Sequence, residues 1–317
     1  MGLFNNKLSD QELLKLVRDN DNGDKAAQQK FAELFDQDNP DFVDRVCKAR
    51  LVIYKDAAQA GDRNAILTYA SSLCRLGRKN EGIDWYMKLI NKGDTKAMLE
   101  LSWQYCEYGG LGPDPKQERF WLKKAAEKGD GEAQYQMGRE MLIAQDKISA
   151  RLWYERSATQ NHPEGKAGFA QCLIEENENI WALMRGIDHN NGYAGYLTKK
   201  YGKPTQQEWE KIMRNIWVQA QTLFIQALNE TREEDTAGTC CNALSRMYLY
   251  PPQGIPPRPY LAAYYAHAYY RETNQQYGLD RCKEIIREQR LKITDYDLRE
   301  WEKMSIWAWG KKHGISV

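Results

Sequence analysis

The stretch AAEKGDGEAQYQMG, residues 125–138, has the features of one helix that ends at Gly129 and of a second helix that begins directly after it. Glycine tolerates the left-handed backbone that commonly closes a helix. The next residue, Asp130, is of a type preferred at a helix start, because its carboxylate accepts the free amide hydrogens of the first turn. The stretch therefore predicts a sharp corner between two consecutive helices.

The same corner recurs along the chain at a nearly constant spacing. Gly61, Gly93 and Gly129 are 32 and then 36 residues apart, and each is followed by an aspartate. A further step of 32 residues leads to Asn161, which also tolerates left-handed backbone and precedes a proline by two residues. A period of about 20–50 residues is typical of arrays of stacked structural repeats. We therefore interpret these positions as corners between stacked helices.

Large and small side chains alternate around each corner. Small residues stand four positions past the corners: Ala65, Ala97, Ala133 and Gly165. A large residue and then a small one follow at eight and nine positions: Tyr69–Ala70, Leu101–Ser102, Met137–Gly138 and Phe169–Ala170. This alternation favours close helix–helix packing. Three tryptophans align before the corners, and we expect them in the repeat core: Trp85, Trp121 and Trp153.

These features resemble the SEL-one-like repeat, a relative of the tetratricopeptide repeat (TPR), with an approximate consensus of AxxxLGxxYxxGxGVxxDxxKAxxWYxKAAExG. The segment YCEYGGLGPDPKQERFWLKKAAEKG, residues 105–129, follows this consensus nearly throughout, although Glu118 replaces the usual alanine. The four extra residues of the longer period fall in the loop GGLGPDP, residues 109–115. The resemblance is strongest over residues 50–174. It implies an all-α fold, an α-solenoid of stacked antiparallel helix pairs.

The rest of the chain is also predicted to be helical, because no segment alternates with a period of two over enough residues to indicate a strand. Cap residues followed by an acid three positions later predict three helix starts: Ser9, Thr205 and Thr294. We predict three regions and one degenerate repeat: an N-terminal helical cap over residues 1–50, SEL-one-like repeats over 51–174, a C-terminal helical region over 175–317 continuous with the solenoid, and a degenerate repeat near 237–275.

The composition argues against several classes of protein. The chain has 45 Lys+Arg against 44 Asp+Glu, a net charge of +1, which gives no electrostatic footprint for nucleic acid, and we predict no nucleic-acid partner. No apolar run approaches the roughly 20 residues of a membrane span. The seven cysteines, odd in number and without a CxxC pair, favour reduced thiols in a cytoplasmic protein.

The sequence carries no motif for a catalytic or metal centre. None of its four histidines has metal-ligand spacing, and no phosphate-binding or nucleophile motif occurs, so we expect no metal, no cofactor and no enzyme activity. The dipeptide Asp188–His189 is the one pairing that suggests acid–base chemistry. An enzyme with a site in residues 176–250 is therefore kept as a second alternative.

The first helix of each pair is expected to line a concave groove, by analogy with tetratricopeptide repeats. Transferred position by position, the analogy first picks Leu67 and Ser71, and then the residues that we predict to bind a partner: Leu99, Trp103, Glu107, Tyr135, Arg139, Gln171, Asn242 and Arg246. Tryptophan, tyrosine and arginine are enriched at binding hot spots. We expect Trp103, Tyr135 and Arg139 to enter one concavity.

The architecture favours a non-catalytic protein–protein interaction scaffold or adaptor that binds a protein or peptide partner in this groove. The alternative is an immunity protein that neutralises a cognate bacterial toxin by direct binding, a role that some SEL-one-like repeat proteins resemble. A neighbouring gene for a toxin, and rescue of growth on co-expression, would distinguish the immunity role from a general adaptor.

Overall fold

The computed structural model describes residues 8–34, 40–187, 193–252 and 254–314, which form 17 helices and no strand. The chain divides into two compact units, Met1–Ala133 and Gln134–Val317. The first unit contains α1 (Asp10–Asp21), α2 (Lys25–Leu34), α3 (Pro40–Gln59), α4 (Arg63–Arg75), α5 (Lys79–Ile90), α6 (Thr95–Gln104) and α7 (Pro115–Glu127).

The helix α8 (Gly131–Ile143) begins in the last residues of the first unit and continues into the second. The second unit then contains α9 (Lys147–Thr159), α10 (Pro163–Met184), α11 (Tyr193–Tyr201), α12 (Gln206–Glu230), α13 (Glu234–Leu249), α14 (Pro259–Thr273), α15 (Gln276–Glu288), α16 (Asp295–Trp301) and α17 (Ile306–His313). Consecutive helices pack against one another within each unit. The fold is therefore all-α, an α-solenoid of stacked helix pairs, as predicted.

The predicted corners adopt left-handed backbone. The φ angle is +92° at Gly61, +87° at Gly93 and +96° at Gly129, and it is +59° at Asn161. The residue after each corner accepts a hydrogen bond from the backbone amide three positions on, over these pairs: Asp62–Ala65 at 2.7 Å, Asp94–Ala97 at 3.0 Å, Asp130–Ala133 at 3.0 Å and His162–Gly165 at 3.3 Å. The corners, including the asparagine one, are confirmed.

In the first unit the cap residues also connect successive corners. The guanidinium of Arg63, the first residue of α4, donates from Nη2 to Asp94 Oδ1 at 3.0 Å. The hydroxyl of Thr95, the first residue of α6, donates to Asp130 Oδ2 at 3.1 Å. Each of these aspartates therefore caps its own helix and also accepts a hydrogen bond from the first residue of the helix one repeat earlier.

An aromatic ring requires glycine at one position of the predicted seam, Gly138, and at a further position, Gly168. A Cβ atom at Gly138 would lie 2.6 Å from Tyr154 Cε1, and one at Gly168 would lie 2.8 Å from Tyr154 Cδ1. Tyr154 itself is only 4% exposed. Any larger side chain at either glycine would overlap the ring, so α8, α9 and α10 pack closely around it.

The three aligned tryptophans lie at the margin of the core, which corrects the expectation that they fill it. Trp85, Trp121 and Trp153 are each half-buried, and the residue after each of them is buried: Tyr86, Leu122 and Tyr154. Consecutive residues of a helix are about 100° apart around its axis. The core position is therefore one residue later, and the tryptophans lie beside it, with Lys88 Nζ 3.1 Å from the Trp85 ring centre.

The N-terminal helices pack on α3. Leu13 and Val17 of α1 form a small core with Val46 and Ala49. The predicted start at Ser9 is confirmed, because its side chain and that of Glu12 exchange the reciprocal hydrogen bonds of a capping box. The starts at Thr205 and Thr294 are confirmed by the same geometry.

Two helices of the second unit are much longer than those of the regular repeats. The helices α10 and α12 contain 22 and 25 residues, whereas α4 to α9 contain 10 to 13. The predicted degenerate repeat forms the pair α13–α14, in which the buried Ser245 hydroxyl donates to Ala262 O at 2.8 Å. The predicted boundaries at residues 50 and 174 fall inside α3 and α10. They remain predictions about where the repeat pattern begins and ends.

A buried carboxylate holds the short helix α11 in place. Glu176 of α10 is fully buried and accepts hydrogen bonds from Arg151 Nε at 3.0 Å, Lys200 Nζ at 2.6 Å and Tyr201 Oη at 2.6 Å. Arg151 is also buried and lies on α9. One side chain thus joins α9, α10 and α11.

The seven cysteines are unpaired thiols, and Cys106 is the one that is not fully buried. Burial raises the pKa of Cys74 to about 11 and that of Cys172 to about 12. The prediction that most of the cysteines fill the core is confirmed, since six of the seven are buried. Within the described residues, no helix combines the length and the apolar character that crossing a bilayer requires.

Candidate functional site

A cleft of about 870 Å³ opens in the second unit between α10 and α13. The face that α13 turns to it carries Asp235, Thr239, Asn242 and Arg246, which recur every three or four residues. The floor comes from Met213 and other residues of α12. The spacing shows that one continuous face of α13 is open, as expected for the first helix of a repeat pair.

The opposite wall is the matching face of α10. Gln171, Ile174, Glu178 and Trp181 recur there at intervals of three or four residues. Trp181 lies beyond the length of a regular repeat helix, since helices α4 to α9 end after 10 to 13 residues and Trp181 is residue 19 of α10. The extra length of α10 therefore extends the wall of the cleft.

The contacts of α12 fix the relative direction of the two walls. Lys166 near the start of α10 pairs with Glu230 at the end of α12, and Asn177 Nδ2 donates to Met213 O at 3.0 Å near the start of α12. α10 and α12 are therefore antiparallel. Because α12 and α13 are joined by a short turn and pack together, α10 and α13 run in the same direction.

This direction gives the cleft two distinct ends. We call the end near the start of α13 the polar end, and it is lined by Asp235, Thr239, Thr273 and Gln275. We call the other the aromatic end, and it is lined by Trp181, Met213, Met247 and Tyr250. Two charged side chains, Glu178 and Arg246, also lie at the aromatic end.

The polar end is shaped by the close approach of α14 to α13. A Cβ atom at Gly238 would lie 2.6 Å from Thr273 Cγ2, so glycine is needed at this contact. The Tyr269 hydroxyl donates to Gln275 Oε1 at 2.9 Å and orients that amide. Asp235 is exposed, and no ion pair within the described chain involves its carboxylate.

The aromatic end presents apolar surface to solvent. Trp181 is 46% exposed and Tyr250 is 67% exposed. The guanidinium of Arg185 lies 3.7 Å from the Trp181 ring centre, a cation–π contact that holds the ring at the edge of the cleft. Arg246 and Glu178 are both exposed, and neither forms an ion pair within the described chain. An occupant could therefore reach either charge.

A buried amide oxygen in the wall also lacks a donor. Asn177 Oδ1 receives no hydrogen bond from the described residues, while Nδ2 of the same side chain is held by Met213 O. Because the atom beside Met213 O must be a donor, it is the amide nitrogen, and the other atom is the oxygen. Such an unsatisfied buried acceptor is uncommon in folded proteins.

Three of the predicted partner-binding residues lie together in this cleft. Gln171 comes from α10, and Asn242 and Arg246 come from α13. The sequence reasoning missed the other contributors, such as Trp181 and Asp235, because no repeat period connects residues 175 to 235. Ile174 and Trp181 are seven residues apart, which is about two helical turns, and this spacing could have predicted that α10 continues to Trp181.

Tyr135 and Arg139 lie on α8 in the second unit and do not line the cleft. The Tyr135 ring packs on Tyr154 and His162 with centroid distances of 5.9 and 5.6 Å. The guanidinium of Arg139 lies 5.9 Å from the Tyr135 ring centre and is exposed. The pair therefore consists of a half-buried ring and an exposed guanidinium.

Leu99, Trp103 and Glu107 belong to the first unit. Trp103 is 37% exposed, with Lys96 Nζ 4.6 Å from its ring centre, and Glu107 is exposed. Leu99 is 0% exposed, which corrects its prediction as a contact residue. The reason is that α6 packs against α4, α5 and α7, so most of its surface is covered. The shared concavity expected for Trp103, Tyr135 and Arg139 stays a prediction.

One group of side chains could hold a metal ion. Asp297, Glu300 and His313 offer ligand atoms within 4.8 Å of one another. Their oxygens already accept hydrogen bonds: Asp297 Oδ1 from Trp309 Nε1 at 3.1 Å, and Glu300 from Lys312 and His313. We interpret this group as hydrogen bonds and ion pairs that hold α16 and α17 together. The predicted acid–base pair Asp188–His189 lies outside the described residues.

No protein-family model matches the chain. Chitin synthase regulatory factor 3 of Schizosaccharomyces pombe (strain 972 / ATCC 24843) is 28% identical over 170 residues, which are 48% of this chain. The aligned part is 18% of that relative's length.

Two solved structures to which the chain is similar are described as a Sel1 repeat protein and as a protein with an SLR fold. A Sel1 repeat protein from Oxalobacter formigenes has a TM-score of 0.44 and 12% identity, over 99% of this chain and 97% of the other. A protective antigen of uropathogenic Escherichia coli strains, which displays an SLR fold, has a TM-score of 0.31 and 17% identity, over 98% and 80%. At these scores the repeat assignment rests on the corners, caps and seams of this chain.

Proposed function

We propose that this protein is a non-catalytic interaction scaffold or adaptor, and that the cleft between α10 and α13 binds a protein or peptide partner. The observation that carries the proposal is the cleft itself. It is lined by two open helix faces with exposed aromatic rings and with charged groups that have no partner in the described chain.

The chemistry of the lining supports a macromolecular ligand. Exposed aromatic and arginine side chains in a concave surface are the features of binding hot spots. The two methionines of the aromatic end, Met213 and Met247, are flexible and adapt to apolar groups of different shapes. Amides such as Gln171 and Asn242 can donate and accept at once, as a peptide backbone requires.

The aligned relative is named as a regulatory factor, and a role exercised by binding another protein is compatible with that name. The identity of the partner separates the finer alternatives. A co-encoded toxin would make the protein an immunity protein, and a general cellular partner would make it an adaptor. Turnover of a small molecule bound within residues 176–250 would instead identify an enzyme.

The test is a comparison of captured proteins between the wild type and two variants of equal charge change. Arg246→Glu alters the cleft, whereas Arg287→Glu alters an exposed arginine that also lies in the last turn of its helix but does not line the cleft. Each tagged protein is incubated with an extract of its source cells, and the bound proteins are measured by quantitative mass spectrometry. We expect a partner that is retained by the wild type and by Arg287→Glu and lost by Arg246→Glu. Equal retention by all three proteins would show that the cleft is not the binding surface.

A further inference from the structure

The segment at the polar end of the cleft carries more acidic than basic side chains, three carboxylates against the exposed Arg232. Glu233, Glu234 and Asp235 are consecutive, exposed and free of ion pairs in the described chain, and Asp235 is the member that lines the cleft. These residues lie at the start of α13, where the helix dipole favours negative charge. A basic group is the complementary occupant of this end.

The aromatic end suits a different group. Trp181, Met213, Met247 and Tyr250 together form an apolar recess with two exposed rings. A large apolar side chain would be removed from water there, which is the main source of favourable binding energy in such recesses. The two ends therefore select two unlike side chains of one occupant.

The distance between the ends sets the spacing of these two side chains. Asp235 and Met247 are twelve residues apart on α13, and the rise of 1.5 Å per residue separates them by about 18 Å along the axis. An extended peptide advances about 3.3 Å per residue. The basic and apolar side chains would then be five or six residues apart.

The amide side chains between the two ends favour an extended occupant over a helical one. Gln171 and Asn242 lie on opposite walls of the cleft, and each amide can donate and accept hydrogen bonds. A helix pairs its backbone groups internally, whereas an extended segment leaves them free for such amides. The two open helix faces therefore suit an extended chain.

We propose that the cleft binds a single extended peptide segment, with a Lys or Arg side chain beside Asp235 and a large apolar side chain at the aromatic end, five or six residues away. This inference rests on the proposed function and specifies its ligand. Gln171 and Asn242, on opposite walls between the ends, are placed to pair with the backbone of the segment.

The experiment uses a phage-displayed library of random nine-residue peptides selected on the full-length protein. We expect enrichment of sequences in which a basic residue and a Trp, Phe, Leu or Met are five or six positions apart. Synthetic versions of the enriched peptides are then measured by fluorescence anisotropy in about 150 mM salt, where charges beyond about 8 Å are largely screened. Circular dichroism of every variant confirms that it is folded.

The matched variants Asp235→Lys and Glu234→Lys make the same charge change at adjacent positions, of which only the first lines the cleft. We expect Asp235→Lys to weaken peptide binding at least tenfold and to shift a new selection from basic to acidic residues. Glu234→Lys should weaken binding less than threefold. Trp181→Ala should weaken binding at least tenfold and keep the basic preference. Tyr108→Ala, which removes an exposed ring of the first unit, should leave binding unchanged.

Three results would overturn the inference: no enriched peptide, enriched peptides with apolar residues at helical spacing and no basic partner, or equal effects of the two lysine variants. If a cellular partner is still lost specifically by Arg246→Glu, the proposed function stands while the extended-segment inference fails. If all variants capture the same proteins as the wild type and no peptide is selected, the proposed function fails as well.

Discussion

The helix pairs α4 to α9 and the region α10 to α14 are built from similar units but differ in how much surface they leave open. In the first set the helices contain 10 to 13 residues, and small residues at the seams bring them into close contact. In the second, α10 and α12 are about twice as long, and α11 is inserted between them. The cleft lies where the long helices α10 and α12 meet α13.

This difference teaches that regular spacing favours packing and that a departure from it creates space for a ligand. The corners of the regular pairs depend on residues adjacent in sequence, such as Gly129 and Asp130. The cleft depends on contacts between distant residues, among them the buried Glu176 that fixes α11. Substitutions in the two regions should therefore differ in both size and pH dependence.

The largest effect is expected at the tight seam. Tyr154→Ala should lower the free energy of unfolding by about 3–5 kcal/mol, because it removes a buried ring enclosed by Gly138 and Gly168. Trp153→Ala, at the adjacent half-buried position, should cost about 1–2 kcal/mol. Denaturant unfolding followed by circular dichroism measures both. Equal losses would contradict the assignment of the core position to the residue after the tryptophan.

The next effect is expected where α11 joins the long helices. Glu176→Gln should lower the free energy of unfolding by about 3 kcal/mol, because it leaves the buried Arg151 without its principal counter-charge. The control is Glu155→Gln, which removes a more exposed partner of the same arginine and should cost less than about 1 kcal/mol. A Glu155 variant as unstable as the Glu176 variant would show that burial of the carboxylate is not the cause.

The Glu176 effect should also depend on pH. Burial by itself would raise the pKa of Glu176, but the hydrogen bonds from Lys200 and Tyr201 and the charge of Arg151 hold it below its usual range. A carboxylate with a lowered pKa contributes stability above its unfolded pKa of about 4.3, and that contribution is lost as the pH falls through the folded value. The difference between wild type and Glu176→Gln should therefore shrink below about pH 4.

The smallest effects are expected at the corners. Gly129→Ala should cost about 1–2 kcal/mol, because no atom lies within 4 Å of the added methyl group and the cost is the left-handed backbone alone. Asn161→Gly should change stability by less than about 0.5 kcal/mol, since both residues tolerate that backbone. Denaturant unfolding measures the change in the free energy of unfolding for both variants. An Asn161→Gly change as large as that of Gly129→Ala would mean that the fourth corner differs from the others.

The corners were predictable from sequence because they depend on neighbours in the chain. Gln171, Asn242 and Arg246 line the cleft because the first-helix spacing continues in α10 and α13, and their contact with a partner stays a prediction. The burial of Leu99 was not predictable, because it depends on how many helices surround α6. Trp181 was missed since the length of α10 follows from long-range contacts and not from the repeat.

The reactivity of the buried thiols can report local unfolding at several positions along the chain. Cysteines lie in α3, α4, α10, α13 and α15, and their burial raises the pKa values of Cys172, Cys240 and Cys282 to about 12. Such thiols react with alkylating agents only after the surrounding helices separate. In repeat proteins that separation can be local, since each unit contacts only its neighbours. The order in which the cysteines become modified therefore traces which helix pairs open first.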